Sequence, residues 1–514
     1  MCMRTSDFEF DNQKRSDGYI YINEDKLEME IMEIVGGKKN IELLDIPEDI
    51  SREAYLNVAD CGRRVLKWYP FEDEARVLEV GAGYGRLTEY LCARVKYVVA
   101  YEKKEERLRV IEARCNQYQN LTCLSGELKE LIIYDKFDYI VVHDIFAIAR
   151  KFFKDKNPNV AMLKFLKKYL CSTGKLLLIT ENRLGLKYFS GAVEDYSQQF
   201  FWGLRSFDED ERVRTFSKNE LKEILVQAGF LNLNWYYLYP DIMNTLEVYS
   251  DEIQEKIAYG ITYPDYESCA DRYEFFDEKR MFYTLYREGI VSNFANAFFV
   301  ECSIDQNAKK YVYSNLLSDY HIKRQGDKYI CDNGSELPAG IHINIYLMSQ
   351  IQRIVNCNLG DENPYISAIY DLFKEMKDHM MTKVYYLEDF YYDNGVVNPV
   401  NIQRENVYGL EYYRWRLGYL WYLENVMRYR NAKRRILLED LLAVLHVDAK
   451  RMNEYIKIFL TEQKNRHILP RLAQNMFDFE AEAAKDVVFF DKQNLIRTTV
   501  QDELKVLHSG MAGE

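Results

Sequence analysis

From residue 51 onward the chain settles into a regular rhythm of short apolar runs and amphipathic segments. SREAYLNVADCGRRVLKWY (51–69) opens with a Ser/Glu cap and keeps its apolar residues at helical spacing. Strand-like runs follow at RVLEV (76–80), KYVVAY (96–101), LTCLS (121–125), FDYIVVH (137–143) and KLLLIT (175–180). Between them the pattern predicts helices from Gly85, over KKEERLRVIEARCNQY (103–118) and around 160–170. Short apolar strands separated by helices imply an α/β fold on a parallel, doubly wound sheet. A further capped helix, FSKNELKEILVQAGF (216–230), ends at Gly229. NLNWYYLY (232–239) and ANAFFVECS (295–303) read as the last two strands.

The flanks break this rhythm. Residues 1–50 form an N-terminal extension, in which YIYINEDKLEMEIMEIV (19–35) alternates like a strand, drifts toward helix and stops at Gly36-Gly37. A Tyr-rich, acidic insertion spans roughly 241–293 between the last two strands. Beyond 304 the text turns mainly helical, with one strand-like patch, DKYICDNG (327–334). Three segments result: an extension (1–50), an α/β domain (51–303) and a mostly helical C-terminal domain (304–514).

Composition narrows the functional classes. The 514 residues hold about three domains' worth of chain, and 48% hydrophobic content with only 9 prolines suits large cores. A net charge of −13 argues against nucleic-acid phosphate as the main partner. There is neither a secretory-type start nor an apolar run near ~18 residues, so a cytoplasmic protein without a membrane span is expected. The ten cysteines, from Cys2 to Cys357, form no CxxC pair and no Cys/His cluster; reduced thiols and no metal site follow. The 42 tyrosines include YYLEDFYY (385–392) and EYYRWRLGYLWYLE (411–424). Such runs read as packing with hydroxyls at the water boundary, or as an aromatic groove for a flat ligand.

The chemistry concentrates at VLEVGAGYGRLTEYL (77–91), where Gly81, Gly83 and Gly85 follow a strand and precede a helix. Glycines there let the backbone turn sharply and approach a ligand closely. A dinucleotide fingerprint needs glycine where Arg86 stands, and a Walker loop needs a following Lys-Ser/Thr; both are excluded. The Glu79-x-Gly81-x-Gly83-x-Gly85 form resembles the first motif of class I S-adenosylmethionine-dependent methyltransferases. That cofactor carries an ammonium and a sulfonium, so an acid beside the turn is favourable. The next strand ends at Glu102, seventeen residues after Gly85, which the resemblance makes the ribose-binding acid. Glu127 of SGEL (125–128) matches the family's polar residue near the adenine.

The similarity extends over about 51–303, through TENRLGLKYFSGAVEDY (180–196), RTFSKNELKEILVQAGF (214–230), YLYPD (237–241) and FANAFFVE (294–301). These resemble a bacterial group of methyltransferases associated with surface-polysaccharide and glycosyltransferase systems. The resemblance implies a Rossmann-like, mostly parallel sheet whose last strand is antiparallel. The group has His after its E-D pair where this chain has Tyr196.

Loops at the C-terminal ends of the strands should carry the reaction. His143 stands there as a base or a histidine satisfied near the cofactor, and Asp144 as a cofactor neighbour or helix cap. Glu181 is the second catalytic candidate. Asn182, Arg183, Lys187 and Tyr196 form an expected acceptor wall, or an ordinary capped loop. Kinase-like catalytic spacing is missing from the C-terminal third. The basic run RYRNAKRR (428–435) suits a solvated helix face or a partner's acidic surface. Taken together, the expectation is methyl transfer from S-adenosylmethionine to an O or N acceptor, which the resemblance places on a glycan or its precursor. A peptide or small-metabolite acceptor, or a non-catalytic cofactor-binding scaffold, remain alternatives. The C-terminal domain is expected to cover substrate, to meet an assembly partner or to form a homodimer.

Overall fold

In the computed structural model the described residues are 24–36, 46–47, 50–253 (without 132, 134, 144, 195, 197–198 and 205–212), 276, 278–304, 311–316, 320–357, 364–380, 390–399, 410–416, 418, 442–448, 451, 454–455 and 457–458. The chain divides into two compact units, Met1–Asp332 and Asn333–Glu514.

In the first unit, five apolar runs become the parallel strands β1 (Arg76–Val80), β2 (Tyr97–Tyr101), β3 (Leu121–Leu124), β4 (Phe137–His143) and β5 (Leu170–Glu181). Their spatial order is β3-β2-β1-β4-β5, so β1 lies at the centre. β6 (Asn232–Tyr239), β7 (Glu247–Ser250) and β8 (Ala297–Ser303) continue the sheet. β8 lies between β5 and β6 and runs antiparallel to both, which makes it the reversed last strand of a seven-stranded core. The sheet then grows beyond expectation. β7 pairs antiparallel with β6, and β9 (Tyr313–Asn315), β10 (Tyr320–Gln325) and β11 (Lys328–Cys331) follow, giving eleven strands. An open β6 edge offers unpaired backbone groups, and these short segments satisfy them. Tyr313–Asn315, Tyr320–Gln325 and Lys328–Cys331 thus belong to the α/β sheet.

Seven α-helices of more than four residues flank this sheet among the described residues: α1 (Glu24–Val35), α2 (Arg52–Val58), α3 (Arg86–Cys92), α4 (Glu105–Arg114), α5 (Pro158–Lys167), α6 (Lys218–Gln227) and α7 (Glu278–Arg287). Ser51 caps α2 by accepting the Ala54 N–H, and Ser217 with Glu220 forms a full capping box on α6. The helix expected over 51–69 is interrupted after Val58 by the 3-10 turn Asp60–Arg63. Crowding explains the position of glycine there: a Cβ on Gly62 would collide with the Leu56 carbonyl oxygen. α1 buries Leu27, Ile31, Ile34 and Val35 against Ala54, Val58, Tyr84 and Val110. Its apolar stripe therefore rests on the glycine turn's own tyrosine.

A buried charge cluster ties these helices together. Glu89 of α3 receives Arg63 and Arg114, each at 2.8 Å. Arg114 also donates to the carbonyl oxygens of Asn57 (2.7 Å) and Tyr84 (3.3 Å), so α2, the glycine turn, α3 and α4 share one guanidinium.

The second unit holds α8 (Ile343–Cys357), α9 (Pro364–Met380) and an antiparallel sheet of β12 (Ile341–His342), β13 (Phe390–Asp393) and β14 (Val396–Pro399). Asn394-Gly395 makes the hairpin, both residues at positive φ. The apolar faces of both helices pack with Phe390, Tyr412, Tyr413 and Trp415. The basic run 428–435 lies outside the described residues. No described helix is long and apolar enough to cross a membrane.

Removing Glu89 leaves two cations facing one another in a buried site, whereas Glu74 meets the exposed Lys96 at the surface. Glu89→Ala is expected to cost about 3–5 kcal/mol in urea unfolding. Glu74→Ala should cost under about 1 kcal/mol. Equal losses would contradict this assignment.

Candidate cofactor and acceptor site

The turn after β1 is built from backbone. Gly81 and Ala82 both donate their N–H groups to the Tyr101 carbonyl oxygen, at 2.9 and 3.0 Å. Gly81, Gly83 and Gly85 hold φ of 86°, 56° and 80°, the left-handed region that glycine enters without strain. The space around them differs. A Cβ on Gly81 would press on Ile145 and one on Gly85 on Ile111, whereas one on Gly83 would meet nothing within 4 Å. Gly83 therefore leaves open the cradle that a cofactor would fill.

Glu102 stands one residue past β2 and is buried. Its carboxylate accepts the Gly83 N–H (2.9 Å) and the Lys104 N–H (3.3 Å), and Arg107 approaches to 3.7 Å. Arg107 also covers the Tyr84 ring at 5.0 Å. Glu127 is exposed and pairs at 2.7 Å with Lys103, the residue next to Glu102. These residues thus come together around one turn, Glu127 reaching it through Lys103.

Glu79 is buried and accepts the Thr88 hydroxyl at 2.6 Å. Burial pushes its carboxyl up to about 8, against the pull of the Thr88 hydrogen bond and the Arg86 charge. Arg86, first residue of α3, is itself buried. Its guanidinium reaches His143 Nε2 at 3.2 Å and Met243 Sδ at 2.9 Å. His143 ends β4 beside the turn, and its carbonyl oxygen would lie 3.3 Å from a Cβ on Gly81. Arg86 stands out in the sequence only as the residue that replaces a glycine. The readable signal is a cation in the first position of an otherwise buried helix. Asp144 lies outside the described residues.

The end of β5 forms the second half. Glu181 is buried and meets Lys187 Nζ at 3.1 Å, and Lys187 also lies over the Tyr188 ring at 5.0 Å. Asn182 is fully buried and committed to backbone. Its amide donates to the carbonyl oxygens of Asn293 (2.9 Å) and Ala295 (2.6 Å), and its oxygen accepts the Leu184 N–H (3.0 Å). That side chain fastens the strand end to the segment before β8. Arg183 turns toward α6, donating to both Glu220 oxygens (2.8 and 3.3 Å) and to the Gly203 carbonyl oxygen (3.2 Å). Tyr196 is half-buried and donates its N–H to Glu194. Asn296, not foreseen as a site residue, accepts the Lys187 N–H at 2.9 Å and donates to the Pro240 carbonyl oxygen at 2.9 Å. It joins YLYPD, the 181–190 loop and β8 at one buried point.

A cleft of about 220 Å³ opens beside this end of the sheet, lined among others by Ala147, Arg150, Lys156, Arg214, Phe216 and Glu220. Phe216 bridges Asn182, and Arg214 donates its N–H to the Ala147 carbonyl oxygen. The volume falls below the ~300 Å³ at which whole-ligand pockets begin, so the cleft has the size of a subsite.

A family profile described as "Methyltransferase domain" matches residues 77–161, which include the glycine turn, Glu102, Glu127 and His143. An uncharacterized methyltransferase of Staphylococcus carnosus is 30% identical over 206 residues, 40% of this chain and 93% of that protein. A ribosomal RNA small subunit methyltransferase A of Geobacillus is 28% identical over 119 residues, 21% of this chain and 41% of that protein. Among solved structures, phosphoethanolamine N-methyltransferase 1 of Haemonchus contortus aligns at 11% identity and a TM-score of 0.31, over 56% of this chain and 50% of that chain. The chain spans about half the length of that structure and less than half of the Geobacillus relative. With the Staphylococcus protein matched over nearly its whole length, and with the acid-flanked glycine turn in place, the chain belongs to the S-adenosylmethionine-dependent methyltransferases.

Proposed function

We propose that the chain seats S-adenosylmethionine on the glycine turn and receives its acceptor at the ends of β4 and β5. The carrying observation is Glu102, whose buried carboxylate is held against the open Gly83 by the Gly83 N–H. In that place it accepts two vicinal hydroxyls, as a ribose presents. Glu127, exposed beside Lys103, is assigned to the adenine side, and Glu79 to the cationic end. The cofactor supplies an electrophilic methyl carbon on a sulfonium. The protein's part is to orient and desolvate, since an in-line displacement depends on placement of the reacting atoms. Glu181, Lys187 and Tyr196 are assigned to the acceptor side, with Asn182 and Arg183 holding that wall in place.

The acceptor is assigned to a glycan precursor carrying phosphate, an O or N atom of its sugar receiving the methyl group. The resemblance to the polysaccharide-associated group supports this, and so does the subsite with Arg150, Lys156 and Arg214 around it. Glu220 and Glu223 also line it, so three cations stand against two carboxylates, and Glu220 is engaged by Arg183 and Arg214. Labelled S-adenosylmethionine incubated with nucleotide sugars and with peptides tests the assignment. Label in the nucleotide-sugar fraction is expected; label in peptides alone would overturn it.

Glu102→Ala removes the hydroxyl acceptor and frees the turn. S-adenosylmethionine affinity in calorimetry should fall about ten- to hundredfold, the size of one or two charge-assisted hydrogen bonds. Undiminished binding would refute the ribose assignment.

Glu79 predicts a pH signature. With its carboxyl at about 8 it is protonated at neutral pH, and a cation seated beside it favours the carboxylate. Binding should expel a proton, so affinity rises with pH toward about 8 and then levels. The folded protein without cofactor behaves oppositely. A raised carboxyl stabilises the fold at low pH, and this stability declines from the ordinary carboxylate range up through about 8. Glu79→Gln should flatten both trends, which calorimetry and thermal unfolding across this pH range measure. Persistence of both slopes in the variant assigns them elsewhere.

A further inference from the structure

We propose that Arg86 is a positioning residue that fixes His143 as its Nδ1–H tautomer, so that its Nε2 lone pair is engaged by Arg86 and does not serve the methyl-transfer site as a base. The inference rests on the reading of this crevice as the methyltransferase site. The chemistry of the two side chains carries it. A guanidinium has five N–H donors and no acceptor, so a contact of 3.2 Å between Arg86 Nη2 and His143 Nε2 has one sense only. Nε2 accepts. The ring hydrogen then belongs to Nδ1, and the lone pair a base would use faces a cation.

The contact is built into the fold at both ends. Arg86 is 5% exposed and His143 also 5%, and the other face of the guanidinium donates to Met243 Sδ at 2.9 Å. Gly62 makes room for it, because a Cβ there would collide with Arg86 Cδ. Three segments therefore converge on this one side chain: the 3-10 turn at Gly62, the end of β4 and the loop after β6. His143 cannot offer Nε2 to an acceptor proton without separating from Arg86, and that movement would disturb the start of α3. A histidine held in this way orients its Nδ1–H by geometry.

Nitrogen-15 histidine labelling of the full chain, read by long-range proton–nitrogen correlation, tests this directly; His143→Gln identifies the signals. The wild type should show an unprotonated Nε2 and a protonated Nδ1 at His143, before and after addition of S-adenosylmethionine. Arg86→Met should move the tautomer ratio by about tenfold or more toward Nε2–H, the scale of losing one charged hydrogen bond. Arg86→Lys, which still donates, should retain the wild-type pattern in part. An Nε2–H ring in the wild type overturns the proposal, whatever the variants do. So does a pattern indifferent to Arg86→Met, or a His143 that becomes doubly protonated with the cofactor. Calorimetry on the same samples separates the two levels: failure to bind S-adenosylmethionine counts against the site, a wrong tautomer against Arg86 alone.

Discussion

The end of β2 holds the turn after β1, and much of the first unit is arranged around that attachment. One carbonyl, that of Tyr101, accepts two consecutive N–H groups of the turn, and the next residue, Glu102, accepts a third from Gly83. Parallel pairing makes this geometry available, because Val80 and Tyr101 are register partners and both strands finish at the same level. The remaining parts brace the turn from outside. Arg114 takes the Tyr84 carbonyl oxygen, α1 packs on the Tyr84 ring, and Arg107 spans Glu102 and that same ring. The carboxylate proposed to receive the ribose is thereby part of the backbone's hydrogen bonding. Its position is set by the fold and not by its own rotamers.

The parallel half of the sheet was legible in the sequence because physics writes it plainly. Strands covered on both faces must be apolar throughout, and short runs such as FDYIVVH and KLLLIT suit little besides a buried strand. The antiparallel extension carries no such text. β7 is EVYS, wholly buried although it contains Glu247 and Ser250, and Tyr313 supplies a hydrogen bond to Glu247 at 2.9 Å. Hydropathy discards a buried glutamate whose partner lies sixty-six residues away. β10 buries Ile322 while Lys323 and Arg324 stay exposed, which is reasonable near a sheet edge and unreadable as a strand in isolation. The hairpin at Asn394-Gly395 was legible in principle, since Asn-Gly between apolar alternations is a strong turn signal.

The candidate site divides along the same line. The residues named from spacing meet at one turn: the three glycines and Glu102 at the end of the following strand, with Glu79 in the strand before it. Arg86 and Asn296 were not foreseen, because each meets its partner by convergence: Arg86 reaches His143 across fifty-seven positions, and Asn296 reaches Lys187 across more than one hundred. Asn182 shows the converse. A polar residue at a strand end was expected to face substrate, yet its donors and acceptor go to neighbouring backbone, because a strand that ends in the core must satisfy its exits.

The two groups first considered for proton removal share an unforeseen property: each faces a cation of the protein. His143 Nε2 receives Arg86, and Glu181 receives Lys187 at 3.1 Å with both side chains buried. Buried charges are tolerated when paired, and the pairing here consumes acceptor capacity that general-base catalysis would require. What the pairing provides is rigidity at the ends of β4 and β5, where the proposed acceptor would be aligned with the methyl carbon. For a displacement at carbon, alignment contributes more to rate than proton transfer does when the nucleophile already has an exposed lone pair. The crevice thus combines a backbone-fixed turn on the proposed donor side with cation-locked side chains on the proposed acceptor side. Both halves act on geometry, and that is the demand an in-line methyl transfer makes of its protein.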